Sequence, residues 1–216
     1  LIRHYRNSEN GRASRAHAFL ELAWFTGARQ GGLRALDLRD VYVDDCYVDF
    51  RHRPETGTPL KNKSHGERPV ALPKEVVDLL EEYRTGERHD VVDDHGRAPL
   101  LASAKGRPGP NTVRAWSYLA TQPCLHSPCP HDRERTSCEF VDYAHASKCP
   151  SSRSPHPIRS GSITWQLDLG IPPAVVAERV NASTDVIKQH YDAASPRERM
   201  EKRRRPFVDQ LNLDND

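Results

Sequence analysis

The chain has 216 residues, with 32 Lys and Arg set against 30 Asp and Glu, a formal charge of +2. That length fits one globular domain with room for an insertion, and the near-balanced charge excludes a simple polycationic coat for nucleic acid. No apolar run reaches the roughly 18 residues of a membrane span and no secretory leader is visible, which predicts a cytoplasmic protein with no membrane partner. The start at Leu1, without Met, reads as a piece of a longer chain.

In chain order, SRAHAFLELAWFTGA places Ala16, Phe19, Leu20, Ala23 and Trp24 at helical spacing and closes on Thr26 and Gly27. A second short helix, QGGLRALDL, follows, with Arg29 at the joint. From Val41 the period changes to two: VYVDD, CYVDFRHR and RPVALP predict three short strands of a small antiparallel sheet, with Lys61 and Lys63 in its second connection. PKEVVDLLEEYRTG returns to helical spacing between Pro73 and Gly86, and NTVRAWSYLATQ predicts a helix capped by Asn111.

Residues 123–155 are rich in Cys, Ser and Pro, have no periodicity, and read as an insertion within a domain spanning 1–216. Three further helical segments follow: HPIRSGSITWQLDLG, PPAVVAERV, and STDVIKQHYDAA with Ser183 as cap, then the charged tail SPRERMEKRRRPF. The expected fold is mainly α with a small antiparallel β-sheet, an α+β domain.

Four of the five cysteines, Cys124, Cys129, Cys138 and Cys149, fall within 26 positions beside His126 and His131. Clustering of this kind in a non-secreted chain points to a structural zinc held by four thiolates, with either His as a substitute. The gaps of four, eight and ten residues are looser than the paired C-x-x-C of common fingers, and free thiols are the competing reading. Cys46 stands apart and reads as a buried apolar position.

The chemistry rests on a scattered set. Arg29 in TGARQGGLRAL and Arg159 in HPIRSGSI mark junctions, and His156 lies one helical turn before Arg159. Arginine's planar donors reach two phosphate oxygens at once. Taken singly, each is more often a surface ion-pair residue, and an isolated Tyr191 in QHYD is more often packing.

In their order and spacing these boxes resemble the catalytic domain of the tyrosine recombinases, the phage-integrase family: TGAR supplies Arg29, HPIR supplies His156 and Arg159, and QHY supplies Tyr191, 32 positions after Arg159. The insertion and QHYD further resemble integrases of halophilic archaea and their viruses. The resemblance runs from about Arg15 to the tail and implies a site-specific recombinase that acts on double-stranded DNA with other protomers and passes through a 3′-phosphotyrosine intermediate. Tyr191 is the implied nucleophile, Arg29, Arg159 and His156 the phosphate donors, and Lys61, or alternatively Lys63, the proton donor, with no cofactor for catalysis. A free phenol has a pKa of about 10 and needs activation for this role.

Three departures bear on these roles. Gly32 stands where the family carries an acid, Ala182 stands where it carries a His or Trp donor, and the N-terminal DNA-clamping domain is missing from the sequence. His190, beside Tyr191, is a weak candidate to replace the missing donor. The family also implies that the tail docks on a neighbouring protomer. Two other functions compete: a non-catalytic DNA-binding regulatory module with the same fold, and a zinc-dependent nucleic-acid adaptor built on the cysteines.

Overall fold

The computed structural model describes residues 1–191 and 194–208, the side chain of His190 excepted. The element order is α1 (Ile2–Arg6), α2 (Arg15–Thr26), α3 (Gln30–Ala35), β1 (Val41–Tyr42), β2 (Tyr47–Phe50), β3 (Arg68–Ala71), α4 (Lys74–Thr85), α5 (Pro110–Ala120), α6 (Pro155–Asp168), α7 (Pro173–Val180) and α8 (Thr184–His190). The strands form an antiparallel meander in the order β1-β2-β3, with Val48 opposite both Val41 and Val70. No helix among the described residues is long and apolar enough to cross a membrane.

Helix α2 is the axle of the main core. Ser14 caps it, its side chain accepting from the His17 amide, and Ala18, Phe19, Leu20, Leu22 and Ala23 are all nearly solvent-free. Burial on several sides makes this a central helix, with each large apolar side chain contributing about 1.5 to 3 kcal/mol. One acid, Glu21, is buried among them. It accepts two hydrogen bonds from Arg6 (2.6 and 3.0 Å) and faces His17 Nε2 at 3.1 Å, which fixes α1 against α2.

Under α3 a second buried ion network gathers on Asp37, which accepts from Arg97 at 2.8 Å and from Arg107, while Asp40 takes Arg53 at 2.8 Å and Asp93 takes Arg107 at 2.7 Å. These ties join the turn before β1, the β2–β3 connection and the loop ahead of α5.

A smaller apolar cluster, with Ile163, Leu167, Val176, Val180, Ile187 and Tyr191 among its members, joins α6, α7 and α8. Beyond it the chain continues as α9 (Pro196–Arg199), a π-helical turn (Met200–Arg204) and α10 (Arg205–Val208). This tail lies against its own domain, Arg203 Nε donating to Asp168 at 2.9 Å.

Several boundaries differ from expectation. Helix α5 opens at Pro110 with Gly109 as its N-cap, so Asn111 is not the cap; proline's fixed φ suits the first helical position. Helix α8 ends at His190 with Tyr191 as its C-cap, and residues 192 and 193 of the expected DAA extension lie outside the described residues. Cys46 is only half-buried, in the β1–β2 turn at φ 52°. The five-residue α1 was not anticipated, being too short to show a period.

Candidate active site

An open cleft of about 1730 Å³ is walled by the start of α3, the β2–β3 connection, the start of α6 and the α7–α8 junction. Arg29, Lys61, His156, Arg159 and Tyr191 all line it. Five residues from four separate stretches of sequence therefore meet in one place.

Gly27 sets the geometry of the first stretch. It ends α2 in the left-handed region, φ 57°, where a Cβ would stand 2.7 Å from Val180 Cγ1. The turn it makes delivers Arg29 to the N-cap of α3, from which Nη1 donates to the Asn181 carbonyl at 2.8 Å. The Gly27 carbonyl in turn accepts from Arg159 Nη1 at 2.5 Å, and the Val180 carbonyl accepts from the same atom at 2.8 Å.

Arg159 is 2% exposed, and its remaining nitrogens, Nε and Nη2, are buried with no hydrogen-bond partner among the described residues. An unsatisfied buried donor is costly, the more so on a charged group. Burial pushes this guanidinium below the usual arginine range, and the charge of Arg29 adds to the effect while the Tyr191 hydroxyl opposes it. The guanidinium carbon lies 5.4 Å from the Tyr191 ring centroid.

Tyr191 is held from three sides. Its amide closes α8 by donating to the Ile187 carbonyl at 3.0 Å, its own carbonyl accepts from Thr164 Oγ1 on α6 at 2.9 Å, and its ring packs in the smaller apolar cluster. The His156 ring, exposed at the start of α6, has its centroid 5.8 Å from that of Tyr191.

Three residues that the sequence did not single out complete the cleft. Arg68 on β3 donates through Nε to the Arg179 carbonyl (2.6 Å) and through Nη1 to the Gly66 carbonyl (2.9 Å), its guanidinium resting 4.5 Å from the centroid of Phe50. Burial, then the charges of Arg159, Arg29 and Arg179, push its pKa down to about 10. Arg179 donates to Gln166 Oε1 and to the carbonyls of Ala71 and Phe25. Asn181 bonds both Arg29 and the β2–β3 connection. None of Arg29, Arg68, Arg159 and Arg179 pairs with a carboxylate among the described residues, so the cleft keeps a concentration of positive charge suited to an anion. Of the three only Arg68 had a sequence cue, the basic run it shares with Lys61, Lys63 and His65, which reads equally well as a solvated hairpin or a DNA-backbone contact.

The departures also acquire a setting. Gly32 packs on Phe50, 3.3 Å from where a Cβ would stand, so an acid there would displace the ring beneath Arg68. Ala182 lines the cleft and brings it no side-chain donor. Lys61 lines the cleft and Lys63, whose backbone is left-handed at φ 52°, does not. The weak candidate His190 has a side chain outside the described part of the structure.

Among the described residues no group of three or more His, Cys, Asp or Glu could hold a metal ion. Cys124, Cys129, Cys138 and Cys149 stand half-buried along a string of short 3₁₀ turns, and Cys124 Sγ accepts a hydrogen bond from Arg135 at 3.0 Å.

Solved structures of similar architecture include the XerA recombinase, at TM-score 0.63 and 16% identity over 98% of this chain and 61% of that one. The Tn1549 transposon integrase in complex with a circular intermediate DNA superposes at TM-score 0.63 and 14% identity, covering 97% of this chain and 62% of the integrase. In complex with transposon right end DNA the same integrase gives TM-score 0.60 and 13% identity, covering 93% and 62%. The fold is that of a tyrosine recombinase catalytic domain. Identities this low establish the recombinase fold and not the chemistry, and the chain spans about three-fifths of the length of these recombinases. No protein-family model matches the sequence, and no curated protein does.

Proposed function

We propose that the protein is a site-specific DNA strand-transferase of the tyrosine recombinase type, acting on double-stranded DNA together with other protomers. The observation that supports this reading best is Arg159: a buried cation with two unsatisfied nitrogens, beside a phenol, in a cleft lined by three further arginines without carboxylate partners. A phosphodiester supplies the oxygens that such nitrogens lack. The integrase neighbours in complex with DNA agree with that class of ligand.

In this reading the Tyr191 oxygen attacks phosphorus, giving up its proton to His156, and the new P–O bond forms as the bond to the 5′-oxygen breaks. Lys61 gives its proton to that departing oxygen, leaving a 3′-phosphotyrosine and a free 5′-hydroxyl. Arg29 and Arg159 hold the two non-bridging oxygens as charge grows on them, each such donor contributing about 3 to 4 kcal/mol. Because the adduct retains the energy of the phosphodiester, a 5′-hydroxyl of a partner strand reverses the step without nucleotide hydrolysis.

The competing reading, a DNA-binding module without chemistry, draws on Ala182, which brings no donor to the cleft. A pool of nicked duplexes of randomised sequence separates the two. The enzyme forms an adduct that survives denaturing detergent and is lost in Tyr191→Phe; a complex that dissociates fully in detergent, for every sequence, sinks the enzymatic reading.

A further inference from the structure

Residues 51–67 form a long connection between β2 and β3, and Lys61 lies on its exposed part. Lys61 makes no hydrogen bond of its own among the described residues, and a four-carbon ammonium side chain reaches a defined point only if its backbone is held. On one side it is: His52 Nδ1 accepts from the Leu60 amide at 2.9 Å. On the other side, the tie comes from Asn181, 120 residues away in sequence.

Asn181 closes α7 in the left-handed region, φ 52° and ψ 64°, which glycine and asparagine tolerate and most residues do not. Three of its polar groups reach across the cleft to separate partners. The backbone carbonyl accepts from Arg29 Nη1 at 2.8 Å; the side-chain oxygen accepts from Asn62 Nδ2; and the side-chain nitrogen donates to the His65 carbonyl at 2.8 Å. The side chain thus grips the connection at the residue directly after Lys61 and again three residues further on. Gly66 packs on Leu60: a Cβ there would stand 3.2 Å from the Leu60 side chain, while Asn181 Nδ2 lies at ordinary contact distance, 3.7 Å.

We infer that Asn181 is a positioning residue, whose side-chain amide holds Lys61 at the leaving-oxygen side of the cleft while its carbonyl independently orients Arg29. The inference rests on the strand-transfer reading above. It is separable from folding because Asn181→Gly keeps the left-handed backbone and the carbonyl that Arg29 uses, and deletes both ties to the connection.

The test uses the duplexes selected by adduct formation, resynthesised with sulfur in place of the bridging 5′-oxygen. An alkoxide, whose conjugate acid like water has a pKa of roughly 16, leaves only with a proton, whereas a thiol with a pKa of about 8.5 leaves unaided. Asn181→Gly is expected to cut the all-oxygen duplex about 10- to 100-fold more slowly than the unsubstituted chain, and the sulfur duplex at nearly the same rate. Asn62→Ala, which removes the other end of one tie from an exposed position, follows the same pattern, and Lys61→Ala follows it more severely.

Equal cutting of the oxygen duplex by Asn181→Gly and the unsubstituted chain overturns the inference, and so does an equal deficit on both duplexes, the mark of a structural defect. Failure of sulfur to rescue Lys61→Ala removes Lys61 as proton donor and the inference with it. Absence of any adduct from the unsubstituted chain instead overturns the strand-transfer reading itself.

Discussion

Arg159 and Tyr191, 32 residues apart, face each other with guanidinium carbon and ring centroid 5.4 Å apart. One helix governs both. Arg159 projects from the first half of α6 and donates to the carbonyls of Gly27 and Val180, and Thr164, a little over one turn further along the same helix, holds the Tyr191 carbonyl at 2.9 Å. Any displacement of α6 therefore moves the anion donor and the phenol together.

The planar fork of Arg159 matters beyond its charge. Arg159→Lys keeps a cation but loses the paired donors, and single-turnover adduct formation is expected to fall about 10²- to 10³-fold. DNA affinity, measured in parallel, should fall far less. Equal losses in both would mean that Arg159 contributes only binding.

Gly27→Ala tests the turn that carries Arg29 and anchors Arg159. The left-handed backbone costs a Cβ-bearing residue about 1 to 2 kcal/mol, and the 2.7 Å approach to Val180 Cγ1 adds an overpacking cost of about 1 to 3 kcal/mol. A loss of about 2 to 5 kcal/mol in urea unfolding is expected. Adduct formation should also be slower under conditions where the variant is fully folded.

Arg68 retains its charge at neutral pH, and in the strand-transfer reading it faces phosphate. Arg68→Gln should weaken binding similarly across sequences and reduce the slope of log affinity against log salt by about one. An unchanged slope would leave Arg68 a purely internal strut for the loop at Gly66 and the end of α7.

Burial raises the Glu21 pKa, but hydrogen bonds from His17 and Arg6 and the charge of Arg6 outweigh it and hold the carboxyl below its usual value. A depressed carboxylate contributes stability that is complete above the unfolded pKa, about 4.5, and is lost as pH falls through the folded one. Urea midpoints should therefore decline below about pH 4.5, and Glu21→Gln should flatten that decline. Its stability at pH 7 should fall toward the lower end of the about 3 to 5 kcal/mol typical of a broken buried pair, because Arg6 is partly exposed.

With no group of three or more candidate ligands placed to hold a metal ion among the described residues, Cys124, Cys129, Cys138 and Cys149 are expected to react with a thiol reagent equally fast with and without zinc. Joint protection of all four by one equivalent of zinc would restore the four-thiolate site and require residues 123–155 to rearrange around it.

Much of this was legible before folding. Arg29, His156, Arg159 and Tyr191 were recoverable because their boxes keep an order and a spacing that chance rarely produces, and the strands because VYVDD and RPVALP change the period to two. Arg68, Arg179 and Asn181 were not, because a guanidinium bonded to distant carbonyls and an amide tying two loops acquire their meaning only from tertiary neighbours. In sequence Lys61 was only slightly preferred to Lys63; the lining of the cleft, which includes Lys61 and not Lys63, separates them. Counting cysteines said nothing about whether the turns between them would bring the sulfurs together.

The way the arginines are partnered has a consequence for how such a molecule meets DNA. Arg6, Arg53, Arg97 and Arg107 are matched to acids inside the fold, while those of the cleft lean on uncharged carbonyls. Viewed from more than a Debye length away, about 8 to 10 Å, a body of formal charge +2 pulls weakly on a polyanion. In the strand-transfer reading its pull on a duplex is therefore short-ranged: the cleft arginines act once the two surfaces lie within about that distance, and added salt weakens both the capture of the duplex and the hold on it.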